Sequence, residues 1–241
     1  MKYIVVIPAR YKSSRLQGKP LIKLDGVPMI IRTYRQCLKV IPANLIFIAT
    51  DDHRIKKTCI KEKAQVIMTS SRCLTGTDRV AEVAKKIKAK YYINIQGDEP
   101  LFDPNDIRKL LRHVKKNTGE ILLGYCKLSS KKDLFSKNVP TIVFDKSEYL
   151  IYASRSIIPN INKINESRYF KAVWGYVFPR DKLLRYGKEK KKTPLEKSED
   201  IEILRFVELG FKVKLVRMTD YSKPVDVKSD IKTVVKIIKK N

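Results

Sequence analysis

Four cations follow an apolar run near the start of the chain. Arg10, Lys12, Arg15 and Lys19 come after Ile4-Val5-Val6-Ile7-Pro8-Ala9, with Gly18 just before the last of them. Such a run reads as a buried strand, and in an α/β fold the loop at its carboxyl end is where ligands bind. Guanidinium and ammonium groups beside a glycine that lets backbone approach closely suit a polyanion, most simply a nucleoside triphosphate. A second strand end, Ile93-Asn94-Ile95-Gln96-Gly97-Asp98-Glu99-Pro100, presents the carboxylate of Asp98. A carboxylate near a triphosphate suits Mg2+, which is held by one or two carboxylates plus phosphate oxygens and waters. Capping the next helix is the other reading of Asp98, and Asp103, directly before Pro104, fits that cap better. Asp226, in Pro224-Val225-Asp226, either caps the last helix or reaches the same metal, and local sequence leaves both open. Thr75-Gly76-Thr77-Asp78-Arg79 opens a helix whose amide donors suit a phosphate or a base edge, while Thr77 also fits a plain N-cap.

These segments need a scaffold, and the apolar periodicity supplies one. Strand patterns at Lys2–Pro8, Leu45–Ala49, Gln65–Thr69 and Tyr91–Gln96 alternate with helical stripes, such as Met29, Ile30, Thr33, Tyr34, Cys37 and Val80, Val83, Ala84, Ile87. That alternation predicts an α/β fold: a mostly parallel central sheet with helices on both faces. After the helix striped by Ile107, Leu110, Leu111 and Val114 the pattern turns to strands, predicting a smaller mixed-sheet insertion at about 129–178. The insertion is expected to cover the acceptor site or to form a dimer contact. Thr193-Pro194-Leu195-Glu196 reads as a capping box opening one helix that stops at Gly210. Residues 1–241 read as a single domain.

The net charge of +27 invites a nucleic-acid reading, but the lysines are scattered, and the dense run Lys188-Glu189-Lys190-Lys191-Lys192 has no interleaved aromatics. No specific nucleic acid is expected, and no stretch is long and apolar enough for membrane insertion. Cys37, Cys59, Cys73 and Cys126 are widely spaced, with only His53 and His113 to join them, which disfavours zinc and disulfides and suits reduced thiols in the cytoplasm.

Taken in order, Pro8-Ala9-Arg10-Tyr11, Ser14-Arg15-Leu16, Gly18-Lys19-Pro20-Leu21, Gly76-Thr77-Asp78-Arg79, Gln96-Gly97-Asp98-Glu99-Pro100, Ser154-Arg155, Ile158-Pro159, Gly175-Tyr176, Pro194-Leu195-Glu196 and Val225-Asp226 form a recognisable series. It resembles the 3-deoxy-manno-octulosonate cytidylyltransferase (CMP-Kdo synthetase) family over nearly the whole chain. The resemblance implies a nucleotidyltransferase fold, CTP, Mg2+, a homodimer and a role in lipopolysaccharide biosynthesis. It also implies that Pro8, Ala9, Arg10, Arg15 and Lys19 surround the triphosphate, and that Thr75, Gly76, Thr77, Arg79 and Gln96 surround the cytosine and ribose. Asp98 and Asp226 would bind the metal, making Arg10, Lys19, Asp98 and Asp226 the catalytic set. Arg155, Tyr176 and Glu202 would face the sugar acid. Departures from the family pattern at Phe170, Thr141 and Ile203, with Cys73 where a His is usual, fall mostly on the acceptor side. They leave room for another acidic acceptor: amino-Kdo, a nonulosonic acid or a phosphonate. A non-catalytic basic binding protein is the remaining alternative.

Overall fold

The computed structural model describes residues 1–13, 16–161 and 169–240. Its first half runs β1 (Tyr3–Ala9), β2 (Lys23–Leu24), β3 (Val27–Pro28), α1 (Met29–Leu38), β4 (Ile46–Thr50), α2 (His53–Lys61), β5 (Gln65–Met68), α3 (Gly76–Lys86) and β6 (Tyr91–Ile95). Then come α4 (Pro104–Lys116), β7 (Ile121–Lys127), α5 (Lys131–Leu134), β8 (Thr141–Phe144), β9 (Leu150–Ser154) and β10 (Phe170–Pro179). The chain closes with α6 (Arg180–Tyr186), α7 (Pro194–Glu199), α8 (Ile203–Glu208), β11 (Val213–Arg217) and α9 (Lys228–Ile238).

The main sheet has the order β11-β7-β10-β6-β1-β4-β5, and only β10 runs antiparallel to its neighbours. Strand β1 shows why both faces need helices. Ile4 and Val6 enter one core with Val80 and Val83 of α3, while Val5 and Ile7 enter the other with Ile30 and Ile31 of α1. A strand apolar on both faces is stable only when covered on both.

The segment expected as an insertion divides in two. Strands β8 and β9 form a hairpin off the main path, whereas β10 lies inside the sheet between β7 and β6. The reason is burial: Tyr176 and Phe178 fill one core, and Val173 and Val177 the other. Between Val173 and Tyr176 the register against β7 shifts, leaving Trp174 and Gly175 in a bulge.

Helix ends explain three further points. Asp103 caps α4 by accepting from the Asn105 N–H at 2.8 Å, as its position before Pro104 predicts. Thr75, not Thr77, caps α3, in a reciprocal box with Asp78. The expected helix from Thr193 to Gly210 is two helices, broken at Asp200, whose φ of 52° is left-handed. A left-handed residue ends the α7 hydrogen-bond ladder, and Asp tolerates that conformation better than most side chains.

Candidate active site

A cleft of about 270 Å³ lies where the carboxyl ends of β1 and β6 meet, the place where an α/β sheet binds ligands. Two glycines shape its floor. A Cβ on Gly97 would sit 2.5 Å from the Pro8 carbonyl oxygen, so only glycine lets the two strand ends approach this closely. Gly18 takes a φ of +67° and donates its N–H to the Tyr11 carbonyl at 2.9 Å, closing the cationic loop. The Arg54 guanidinium stacks 3.4 Å above the Tyr11 ring and steadies that loop from outside.

The two distant aspartates converge. Lys19 Nζ lies 2.5 Å from Asp98 Oδ2 and 3.2 Å from Asp226 Oδ1. Backbone and side chain together bring them there. The Val225 N–H donates to the Asp98 carbonyl at 3.0 Å, and Ser222 Oγ hydrogen-bonds the Glu99 carboxyl. Asp226 does not cap α9; the Asp230 carboxylate accepts from the Asp226 and Val227 N–H groups at 2.8 and 2.9 Å, fixing the approach. Burial on its own lowers the pKa of Lys19, but the charges of Asp98 and Asp226 outweigh it and raise it. Burial also pushes Glu99 up to about 8, and the nearby Asp98 and Asp226 charges add to the rise. Two carboxylate groups that meet over one cation match the donor set of Mg2+ with triphosphate oxygens completing its shell. Among the described residues no group of three or more His, Cys, Asp or Glu side chains forms a self-sufficient metal cluster. A metal held jointly with a nucleotide is the arrangement that fits.

Pro8, Ala9, Arg10, Thr75, Gly76, Arg79, Gln96, Arg155, Tyr176 and Glu202 line the same cleft. Arg10 is exposed at its rim, whereas Lys12 lies outside it. Arg15 falls outside the described residues. Thr77 is buried beneath the cleft and donates its N–H to Glu202 Oε2 at 3.0 Å. Arg79 spends its guanidinium on Asp51 Oδ2 at 2.8 Å and Thr69 Oγ1 at 2.7 Å, holding the β4 and β5 ends together. Glu202 accepts from Gln96 Nε2 at 2.5 Å, which places it beside the residues expected around the nucleoside. Burial raises the Glu202 carboxyl above its ordinary value. Tyr176 is buried, and burial raises its hydroxyl well above the ordinary value. Arg155 donates to the carbonyls of Glu199, Lys137 and Asp200 at 2.6, 2.9 and 3.0 Å, so it ties three loops into one wall.

Phe170, Thr141, Ile203 and Cys73 do not line the cleft. Phe170 packs against Tyr125 and Phe144, and Thr141 Oγ1 donates to the Ser156 carbonyl. Asn138, Trp174, Lys192 and Asp200 do line it, and the sequence did not mark them as site residues. Trp174 stands next to Gly175-Tyr176, the one signal that could have found it. Lys192 ends a run that reads as solvated, and Asp200 sits within what reads as unbroken helix.

Convergent carboxylates under a cationic strand-end loop, in a sheet of this order, define an α/β nucleotidyltransferase. A family model described as cytidylyltransferase matches residues 4–219. A 3-deoxy-manno-octulosonate cytidylyltransferase of Fusobacterium nucleatum is 40% identical over 243 residues, covering 100% of this chain and 98% of the relative. The Escherichia coli protein of that name is 34% identical, covering 93% of this chain and 91% of its own. A solved CMP:2-keto-3-deoxy-manno-octonic acid synthetase complexed with CTP superposes with a TM-score of 0.90 at 32% identity, covering 100% and 99% of the two chains. A 4-diphosphocytidyl-2C-methyl-D-erythritol synthase of Anaerococcus prevotii, at 14% identity and a TM-score of 0.66, shares the fold. The chain belongs to the 3-deoxy-manno-octulosonate cytidylyltransferase family, and it is a CTP-dependent nucleotidyltransferase.

Proposed function

We propose that the protein transfers CMP from CTP to 3-deoxy-manno-octulosonate, releasing pyrophosphate. The anomeric hydroxyl attacks the α-phosphorus, the bond to the β-phosphate oxygen breaks, and the hydroxyl proton leaves to solvent. Nucleophile and electrophile are both anionic, so their repulsion must be screened before they meet. Arg10 and Lys19 take the triphosphate and stabilise the charge that builds on the departing pyrophosphate. Asp98 and Asp226 would hold Mg2+, which supplies Lewis-acid screening of the α-phosphate. Gln96, held by Glu202, and the amide end of α3 receive the nucleoside. Arg155 and Tyr176 stand on the acceptor side of the cleft.

The convergence of Asp98 and Asp226 on Lys19 carries this reading. A homodimer, residence in the cytoplasm and supply of an activated sugar for lipopolysaccharide belong to the same proposal, supported by full-length likeness to relatives of that name. Among the described residues no helix is long and apolar enough to cross a membrane. The test is pyrophosphate release with each of four nucleoside triphosphates against a panel of keto acids, with and without MgCl2. Release that needs CTP, the octulosonate and the metal is the expected result. Metal-independent release, or none with CTP, refutes the proposal.

A further inference from the structure

One wall of the cleft is built by two local irregularities that serve no role in the chemistry derived so far. The break between α7 and α8 puts Asp200 in the cleft, where its Oδ1 accepts from Lys192 Nζ at 2.5 Å and its carbonyl from Arg155. The side chain of Asp200 is 64% exposed, and its Oδ2 lies 3.8 Å from Arg155 Nη2, so the carboxylate stands between two cations at the cleft. The bulge in β10 turns Trp174 to the same cleft, where its indole stacks on Tyr176 at 6.1 Å and 26°. An ammonium beside a carboxylate matches a vicinal diol: one hydroxyl accepts from Lys192 and its neighbour donates to Asp200. Such bonds to charged groups are among the stronger ones, and an aromatic plane suits the C–H face of a sugar.

We infer that Lys192 and Asp200, with Trp174, recognise the hydroxylated tail of the acceptor and so set which acid is activated. This rests on the proposed nucleotidyl transfer and deepens it: the groups recognised are the adjacent hydroxyls on the outer two carbons of the eight-carbon acid. The pair also supplies polar groups from a part of the chain that the family pattern does not mark, while Phe170, Thr141 and Ile203 lie off the cleft.

The test compares the eight-carbon octulosonate with a six-carbon 2-keto-3-deoxy acid that lacks the outer two carbons. Asp200→Gly removes the carboxylate and keeps the left-handed backbone unstrained. Lys192→Met removes the ammonium. Each is expected to raise KM for the eight-carbon acid about tenfold, the worth of one hydrogen bond to a charged group. KM for the six-carbon acid and for CTP should stay within about twofold. Trp174 is the chain's one tryptophan, so its fluorescence gives acid binding separately from turnover. Equal effects on both acids, or none on either, overturn the inference while leaving nucleotidyl transfer intact. Failure of the unsubstituted protein to release pyrophosphate with CTP and either acid overturns both.

Discussion

Replacing Arg205 with Met removes the cation at the centre of a buried charge network. The Arg205 guanidinium is fully enclosed and donates to Glu196 Oε2 and Oε1 at 2.6 and 2.7 Å, and to Asp78 Oδ1 at 2.7 Å. It also lies 3.9 Å from the centre of the Tyr186 ring. Methionine fills much of that volume but donates nothing, so Glu196, itself 0% exposed, is left as a buried carboxylate without its cation. Breaking one side of such a pair costs about 3–5 kcal/mol. At about 2–4 °C per kcal/mol for a chain of this size, Tm should fall by about 6–20 °C. Calorimetry at pH 7.5 measures the shift. The double variant Arg205→Met, Glu196→Met removes the fully buried carboxylate as well, leaves only Asp78, 12% exposed, without its cation, and should recover part of the loss. A single variant melting within about 2 °C of the parent, or a double variant no better than the single, refutes the reasoning. Asp78 also closes the cap that positions Thr75 and Gly76, so half-saturation by CTP should rise in Arg205→Met.

Three other outcomes follow from the geometry. Asp98→Asn should keep Tm within a few degrees but cut turnover by roughly 10²-fold or more in a pyrophosphate assay, because one metal-facing charge is lost. Lys19→Met removes the ammonium that lies between Asp98 and Asp226; half-saturation by CTP should rise, and MgCl2 should raise Tm more than it does for the parent. Asp220 is held below its ordinary value of 3.8: burial pushes it up, but hydrogen bonds from Lys171, 2.5 Å away, and Ser129 outweigh that. A depressed carboxyl contributes its stability above pH 3.8 and loses it as pH falls through the lower folded value. Lys171→Met should therefore lower Tm at pH 7, with the gap to the parent closing below pH 3.8; a constant gap across a pH series counts against the pairing.

Local chemistry was legible and long-range placement was not. The strand into Arg10 and Lys19, the Asp103-Pro104 cap and the Thr193 box each depend on a few adjacent residues, and each stands where the sequence puts it. That Asp98 and Asp226 meet depends on long-range bonds, from Val225 to the Asp98 carbonyl and from Ser222 to the Glu99 carboxyl, which no local pattern encodes. Strand β10 reads like the strands before it, because burial on both faces looks alike whether a strand ends a hairpin or fills the middle of a sheet. The break at Asp200 hides because Ile201, Leu204 and Val207 keep helical spacing on their own. Glu202 was expected to face the acceptor; its pairing with Gln96 and Thr77 depends on how α8 packs against α3, which appears only in three dimensions.

The position of β10 also sets an order of events during synthesis. Its neighbours β6 and β7 both leave the ribosome first, yet they lie on opposite sides of it and do not pair with each other. Until Pro179 has emerged, β1, β4, β5 and β6 can form a parallel half-sheet while β7 still waits for both of its partners, β10 and β11, and the open edges have only water to bond. A product ending before Phe170 would carry the raw edge of β6 and a β7 unpaired on both sides, and with them a strong tendency to associate with its own kind. Strand β10 is thus the keystone that ties β7, and through it the later β11, to the half-sheet already formed.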